Sequence, residues 1–401
     1  MNSVVVTGMG CISAIGRNTA EMAVALKDGR SAIGPLTVTP TDRLTVKIGA
    51  EVADFDPAQH FDEKRLLLLD RFSQFALVAA REAVAASGLE FRGPVGERTA
   101  AILGSGVGGM TTLDESFQRL YLENAKRFQP FIIPKLMMSA AVSHITMEHG
   151  MRGPAFTTAS ACASANHAIG TAFQMVRSGM VDVALTGGAE AVFTPGTLKA
   201  WEAMRILAPD TCRPFAKGRK GLVLGEGAAI LILENRKHAE ARGAPILGEI
   251  IGFGMSADAT DIVLPSLEGA VRAMRACIED SGLAPGAFEY VNAHGTGTAM
   301  NDVTETRAIH EVFGDHARRL AISSTKSLHG HALGAAGAIE AVATLLAMRQ
   351  GFIPPTANYN EVDPQCDLDY VPNTTREQSF SVALSSSFAF GGLNAVLALR
   401  R

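Results

Sequence analysis

Arg81-Glu82-Ala83-Val84-Ala85-Ala86-Ser87-Gly88-Leu89 and Arg275-Ala276-Cys277-Ile278-Glu279-Asp280-Ser281-Gly282-Leu283 decide the fold, because the second stretch repeats the first. In each, a helical run is stopped by Ser-Gly-Leu, the glycine being free to take the left-handed conformation of a helix end. Each leads into a short apolar strand and then a Gly-rich loop: residues 99–103 before 104–109 in the first copy, residues 290–293 before His294-Gly295-Thr296-Gly297-Thr298 in the second. A second pair follows in the same order. A small-residue turn at 160–164 opens a helix running to about Ser178, and residues 326–334 open one ending near Gln350. Each copy closes on a strand and a glycine pair, Gly187-Gly188 and Gly391-Gly392. Matching features in one order predict a duplicated α/β unit, residues 1–250 and 251–401. No low-complexity linker divides the halves, so an extensive shared interface is expected.

Further apolar runs at 4–7, 181–186, 228–233 and 381–385 read as buried strands. The first is followed by a turn and a helix capped by Asn18, with Glu21 three residues on and Gly29 as its stop. Of 401 residues, 47% are hydrophobic and 19% charged, which supports a large core and excludes a disordered polymer. The net charge of −4 supplies no basic field for nucleic acid. Cys11, Cys162, Cys212, Cys277 and Cys366 show no C-x-x-C spacing, which argues against a disulfide framework and for a reducing compartment. No apolar run approaches the roughly 18 residues of a membrane helix. The first residues read as a strand rather than a signal peptide. A soluble, cytoplasmic protein is expected.

Gly104-Ser105-Gly106-Val107-Gly108-Gly109 satisfies G-x-G-x-x-G after a strand. A dinucleotide site also wants an acidic residue near the end of a second strand about 20 positions on. Residues 121–126 lack a strand pattern, so a flexible loop beside a pocket is the favoured reading. Cys162 lies in Thr157-Thr158-Ala159-Ser160-Ala161-Cys162-Ala163-Ser164. A lone cysteine among small residues is usually buried structure. The same small neighbours also permit a sharp strand-to-helix turn, at which the helix N-terminus would stabilise a thiolate. His294 ends a strand, the usual place for sites in α/β proteins. His329 and His331 raise a zinc reading, but no cysteine stands at a ligand spacing from them. Under the repeat, the His331 turn is the counterpart of the Cys162 turn, and pseudo-twofold packing brings both helix starts towards one cavity.

Four motifs in order carry a family resemblance: Ala161-Cys162-Ala163-Ser164; Asn292-Ala293-His294-Gly295-Thr296-Gly297-Thr298; residues 326–331 with Gly334-Ala335-Ala336-Gly337; and Phe388-Ala389-Phe390-Gly391-Gly392. Across nearly the whole chain they resemble the elongating, type II β-ketoacyl-(acyl carrier protein) synthases. The resemblance implies a thiolase-like fold, a five-layer αβαβα sandwich of duplicated halves. It implies decarboxylative condensation of an acyl group on Cys162 with malonyl-acyl carrier protein, without cofactor or metal. Acyl carrier protein is then the expected partner, and the chain a homodimer or a heterodimer with a paralogue. The amides of Cys162 and Phe390 would form the oxyanion hole, and His294 and His331 would donate to the malonyl thioester oxygen. Lys326 would tune the histidines, and Glu340 would support their network. Thr296 and Thr298 resemble the pantetheine-binding pair, Val107 the position that sets acyl depth, and Phe390 the gate. Lys64, Lys126, Arg127 and Arg205 are the candidate carrier contacts.

The departures are also informative. Residues 297–302 read Gly-Thr-Ala-Met-Asn-Asp where housekeeping synthases usually have Ser-Thr-Pro followed by Gly-Asp. His329 stands where threonine is common, Leu393 replaces the threonine after the glycine pair, and Leu67 and Leu68 replace frequent Arg and Lys. These traits resemble the specialised nodulation E-type branch, and polyketide and polyene ketosynthases share some of them. Four leucines at 66–69, on a helix expected over 64–70, cannot share one helix face. Three rival readings fit less well. A non-catalytic partner resembling a chain-length factor would lack the cysteine. A degradative thiolase would carry a second cysteine near residues 386–392, and a starter-unit synthase would have Asn for one histidine.

Overall fold

The computed structural model describes residues 2–401. Its main sheet has ten strands in two sets of five. The first set is β1 (Val4–Ser13), β2 (Thr99–Gly104), β3 (Ala155–Thr158), β4 (Val183–Glu190) and β5 (Gly227–Asn235). The second is β6 (Gly248–Ala257), β7 (Tyr290–Asn292), β8 (Ala321–Ser323), β9 (Val382–Ala389) and β10 (Leu393–Arg400). Outward from their junction the orders are β1-β5-β4-β2-β3 and β6-β10-β9-β7-β8, the same arrangement twice. In each set the last strand runs antiparallel to both neighbours, while the outer three are parallel. The sets join where residues 4–6 pair antiparallel with 248–250.

Seven helices carry the argument: α1 (Thr19–Asp28), α2 (Arg71–Ser87), α3 (Met110–Tyr121), α4 (Ser164–Ser178), α5 (Leu267–Ser281), α6 (Ala299–Phe313) and α7 (Ala336–Gln350). Side chains alternate across each strand and divide the core into layers. Ile230 and Ile232 of β5 pack with α2, whereas Leu231 and Leu233 pack with α4 and α7. In the second set Val396 and Ala398 face α5, while Leu397 and Leu399 join the same central cluster as α4 and α7. The result is five layers, α/β/α/β/α, with α4 and α7 in the middle. Residues 336–348 of α7 are all buried, as a helix covered on every side requires.

Several expected details are present. Gly88 and Gly282 end α2 and α5 at φ 67° and 70°. Asn18 caps α1, its side-chain oxygen accepting the Glu21 amide at 2.9 Å, and Gly29 ends that helix at φ 63°. Two readings change. Strand β1 continues to Ser13 through the predicted turn, because Gly8 and Gly10 serve helix contact rather than chain reversal. A Cβ on either would lie 2.1 Å from a carbonyl oxygen of α2. Gly254 does the same for α5, where a Cβ would lie 2.2 Å from the Ala273 carbonyl oxygen. The helix expected over 64–70 is confined to Glu63–Leu66, because Asp70 turns out to be the cap of α2. The leucines do not share one environment: Leu69 is 2% exposed and Leu67 58%. Among the described residues no helix is long and apolar enough to cross a membrane.

Candidate active site

Strand β3 leads through a tight turn, Ala161–Ala163, into α4, and the turn Leu333–Ala335 leads in the same way into α7. The first residue of each turn is left-handed without being glycine, Ala161 at φ 48° and Leu333 at φ 44°. Such backbone is strained and persists only where neighbours hold it. At the first turn Ser164 does so, its hydroxyl accepting the Ser160 amide at 2.9 Å and donating to the Ala161 carbonyl at 2.7 Å. Superposing the turns places Cys162 opposite Gly334, so His331 stands just upstream of the matching turn. Its backbone is fixed by a bridge to residues 223–225: its amide donates to the Val223 carbonyl at 2.7 Å, and its carbonyl accepts the Gly225 amide at 2.9 Å.

A cavity of about 410 Å³ collects Cys162, His294, His331, Thr296, Thr298, Phe390 and Arg205 in its lining. The two imidazoles meet edge to face with ring centroids 5.4 Å apart. Thr296 and Thr298 share a 2.9 Å hydrogen bond. Phe390 stacks on Trp201 at 6.1 Å between centroids and 24° between planes. Lys326 and Glu340 do not line the cavity; they form a buried ion pair. Val107 is also outside the lining, half-buried against the cluster that contains Cys162. Arg205 is exposed, whereas Lys64, Lys126 and Arg127 are exposed away from the cavity lining. The His329 ring turns to Thr325, with Nε2 3.0 Å from the hydroxyl. Among the described residues no group of three His, Cys, Asp or Glu is placed to hold a metal ion.

Burial dominates the electrostatics. It pushes the Cys162 thiol up to about 12, with Lys326 pulling down and Glu190 and Glu340 adding to the rise. Loss of water thus favours the neutral thiol at rest and works against any pull of the helix start towards a thiolate. Burial, then Lys326 and then the neighbouring imidazole hold His294 well below the ordinary histidine range; burial, Lys326 and His329 do the same for His331. Both rings are neutral at physiological pH, each able to donate through one nitrogen and accept through the other. Burial also raises Glu340 to about 7 against the pull of Lys326.

Three buried carboxylates were not singled out for any role from the sequence. Glu305 of α6 accepts the backbone amides of His294 at 2.7 Å and Gly295 at 2.8 Å. Asp302, one turn earlier, accepts the Phe215 amide at 2.7 Å and the Gly297 amide at 3.2 Å. Their i, i+3 spacing just after a Gly-rich loop was a usable signal, since it puts both acids on one helix face. Glu190 gave no such signal. It ends β4 and occupies the Gly-rich loop, accepting the Gly106 amide at 2.6 Å and the Val107 amide at 3.2 Å. A helix does open at Met110, but the loop amides a pyrophosphate would need are already bound to a carboxylate of the chain itself.

Comparison with known proteins follows the same lines. Residues 1–239 match the β-ketoacyl synthase N-terminal domain and residues 247–360 its C-terminal domain. The chain is 50% identical over 398 residues to nodulation protein E of Rhizobium sp. strain N33, covering 99% of both chains. It is 41% identical to the 3-oxoacyl-[acyl-carrier-protein] synthase 2 of Coxiella burnetii, covering 99% of this chain and 98% of that one. The ishigamide ketosynthase/chain length factor structure superposes with a TM-score of 0.95 at 37% identity, over 100% of this chain and 99% of that one. With both domains matched in order and relatives aligned end to end, the chain belongs to the β-ketoacyl synthase family of condensing enzymes.

Proposed function

We propose that this condensing enzyme extends an acyl group held on Cys162 by two carbons taken from malonyl-acyl carrier protein. The convergence of one thiol and two neutral imidazoles in a single cavity carries the reading. In the first half-reaction Cys162 Sγ attacks the acyl-carrier thioester. Because the thiol is neutral at rest, its proton leaves as the sulfur–carbon bond forms, accepted by an imidazole of the His294–His331 pair and returned to the departing pantetheine sulfur. In the second, the malonyl carboxylate leaves as CO2 and its bonding pair forms an enolate whose oxygen accepts from His294 and His331. The enolate carbon attacks the acyl-Cys carbonyl. The amides of Cys162 and Phe390 hold the resulting oxyanion, and collapse expels the Cys162 thiolate, which takes up a proton. The Lys326 charge disfavours protonated imidazoles, with Glu340 balancing it. Thr296 and Thr298 hold the pantetheine arm, Val107 limits acyl depth and Phe390 gates the cavity.

Incubation with an acyl- and a malonyl-carrier protein tests this directly: one CO2 per 3-oxoacyl product is expected. Malonyl turnover without product would overturn it, and no turnover by the chain alone would favour a non-catalytic, chain-length-factor-like role.

Relatives supply the partner reading. One is named for acyl carrier protein, and one structure pairs a ketosynthase with a chain length factor. An acidic carrier fits Arg205 at the cavity, with Lys64, Lys126 and Arg127 as more distant contacts. Self-association is supported by β3, an edge strand with exposed residues, and by exposed Phe128, Phe131, Ile133 and Met137 in the segment between α3 and β3. An unpaired sheet edge and exposed large apolar side chains are both characteristic of an interface. Introducing charge at the edge by Phe156→Asp should convert a dimer to monomer in analytical ultracentrifugation; an unchanged sedimentation coefficient would exclude this edge. The repeated strand order also supports two halves divided near residue 250.

A further inference from the structure

Glu190 is fully buried and has four hydrogen-bond donors around it, none of them a cation. Oε2 accepts the Gly106 amide at 2.6 Å and the Gly334 amide at 2.9 Å. Oε1 accepts the Ser105 hydroxyl at 3.0 Å and the Val107 amide at 3.2 Å. Gly106 and Val107 belong to the Gly-rich loop of the first half, whereas Gly334 lies in the strained turn after His331 in the second. The approach is close enough that a Cβ on Gly334 would lie 2.2 Å from the Gly106 nitrogen and 2.5 Å from Glu190 Oε2. One carboxylate therefore joins two backbone segments from opposite halves of the chain, and it accepts from all three of their amides, the Gly334 amide being buried.

We propose that Glu190 is a positioning residue for the condensing reaction: by clamping the loop that carries Val107 to the turn at Gly334, it fixes how deep an acyl chain can enter. This rests on the reading of Val107 as the depth-limiting position. In Glu190→Gln a carboxamide of the same shape has one oxygen where there were two. The arrangement that leaves fewest donors opposed puts the new NH2 at the Oε1 site, where Ser105 can rotate its hydroxyl to accept but the Val107 amide cannot adapt. The loop is then released at Val107 itself. Gly106→Ala strains the clamp from the other side, since its Cβ would lie 2.9 Å from Oε2.

The test is intact-mass measurement of Cys162 acylation with saturated acyl-carrier proteins of increasing length, in wild type, Glu190→Gln, Gly106→Ala and Val107→Ala. The expected result is a ratio of long-chain to short-chain acylation raised roughly tenfold in Glu190→Gln, the scale set by loss of one hydrogen bond to a charged acceptor, with Gly106→Ala changing in the same direction. A uniform loss at all lengths, or an unchanged ratio, would show Glu190 to be merely structural. If Val107→Ala alters the ratio and Glu190→Gln does not, the clamp is wrong and the depth reading stands. If Val107→Ala has no effect, the depth reading fails and the proposal fails with it. Should Glu190→Gln not fold, Gly106→Ala decides by the same comparison.

Discussion

Cys162→Ala should show no mass increase with any acyl-carrier protein, and its condensation rate should fall on the order of 10³-fold or more, as for loss of a covalent nucleophile. The change is conservative in every other respect. Cys162 is 6% exposed in a turn already built from alanines, so replacement by alanine is compatible with the backbone and leaves α4 intact. Malonyl decarboxylation uses the imidazoles rather than the thiol and should persist in the variant. An adduct that survives the substitution would sink the nucleophile assignment, because the other four cysteines are buried elsewhere and outside the cavity lining.

His294→Ala should divide the two half-reactions. Removing one donor to a developing oxyanion costs about 10²–10³-fold, and here that loss should fall on malonyl decarboxylation. Acylation of Cys162 should fall less, since His331 remains as proton acceptor and the backbone amides are untouched. Equal losses in the two half-reactions would contradict the division of labour. The pH profile offers an independent check. Both histidines are held well below their ordinary range, so they remain neutral as pH falls through the value of about 6.5 at which a free imidazole gains its proton. Wild-type decarboxylation should therefore show no histidine titration there, and any inflection from Glu340, raised to about 7, should persist in His294→Ala. An inflection near that value, absent in His294→Ala, would mean that His294 is far less buried in its electrostatic effect than its position indicates.

What was legible in the sequence depended on distance along the chain. Cys162, His294 and His331 each sit in a short contiguous motif, and the repeat of Ser-Gly-Leu supplied the reason for two of them to meet. Strand β6 was harder: Gly252 and Gly254 look like loop residues until α5 is seen resting on them. Gly8 and Gly10 misled in the same way at β1. Glu190 was invisible because its donors lie 83, 84, 85 and 144 residues away. The balance acting on the thiol is non-local in the same way. A helix start can be read from a few residues, but burial is a sum over every element packed around Cys162.

Trp201 is the only tryptophan in the chain, and it lies face to face with Phe390 in the lining of the cavity. The molecule thus contains a built-in optical reporter at the ring read as its gate. Acyl loading that displaces Phe390 alters the surroundings of one indole and no other, so opening and closing can be timed from intrinsic emission, without a label.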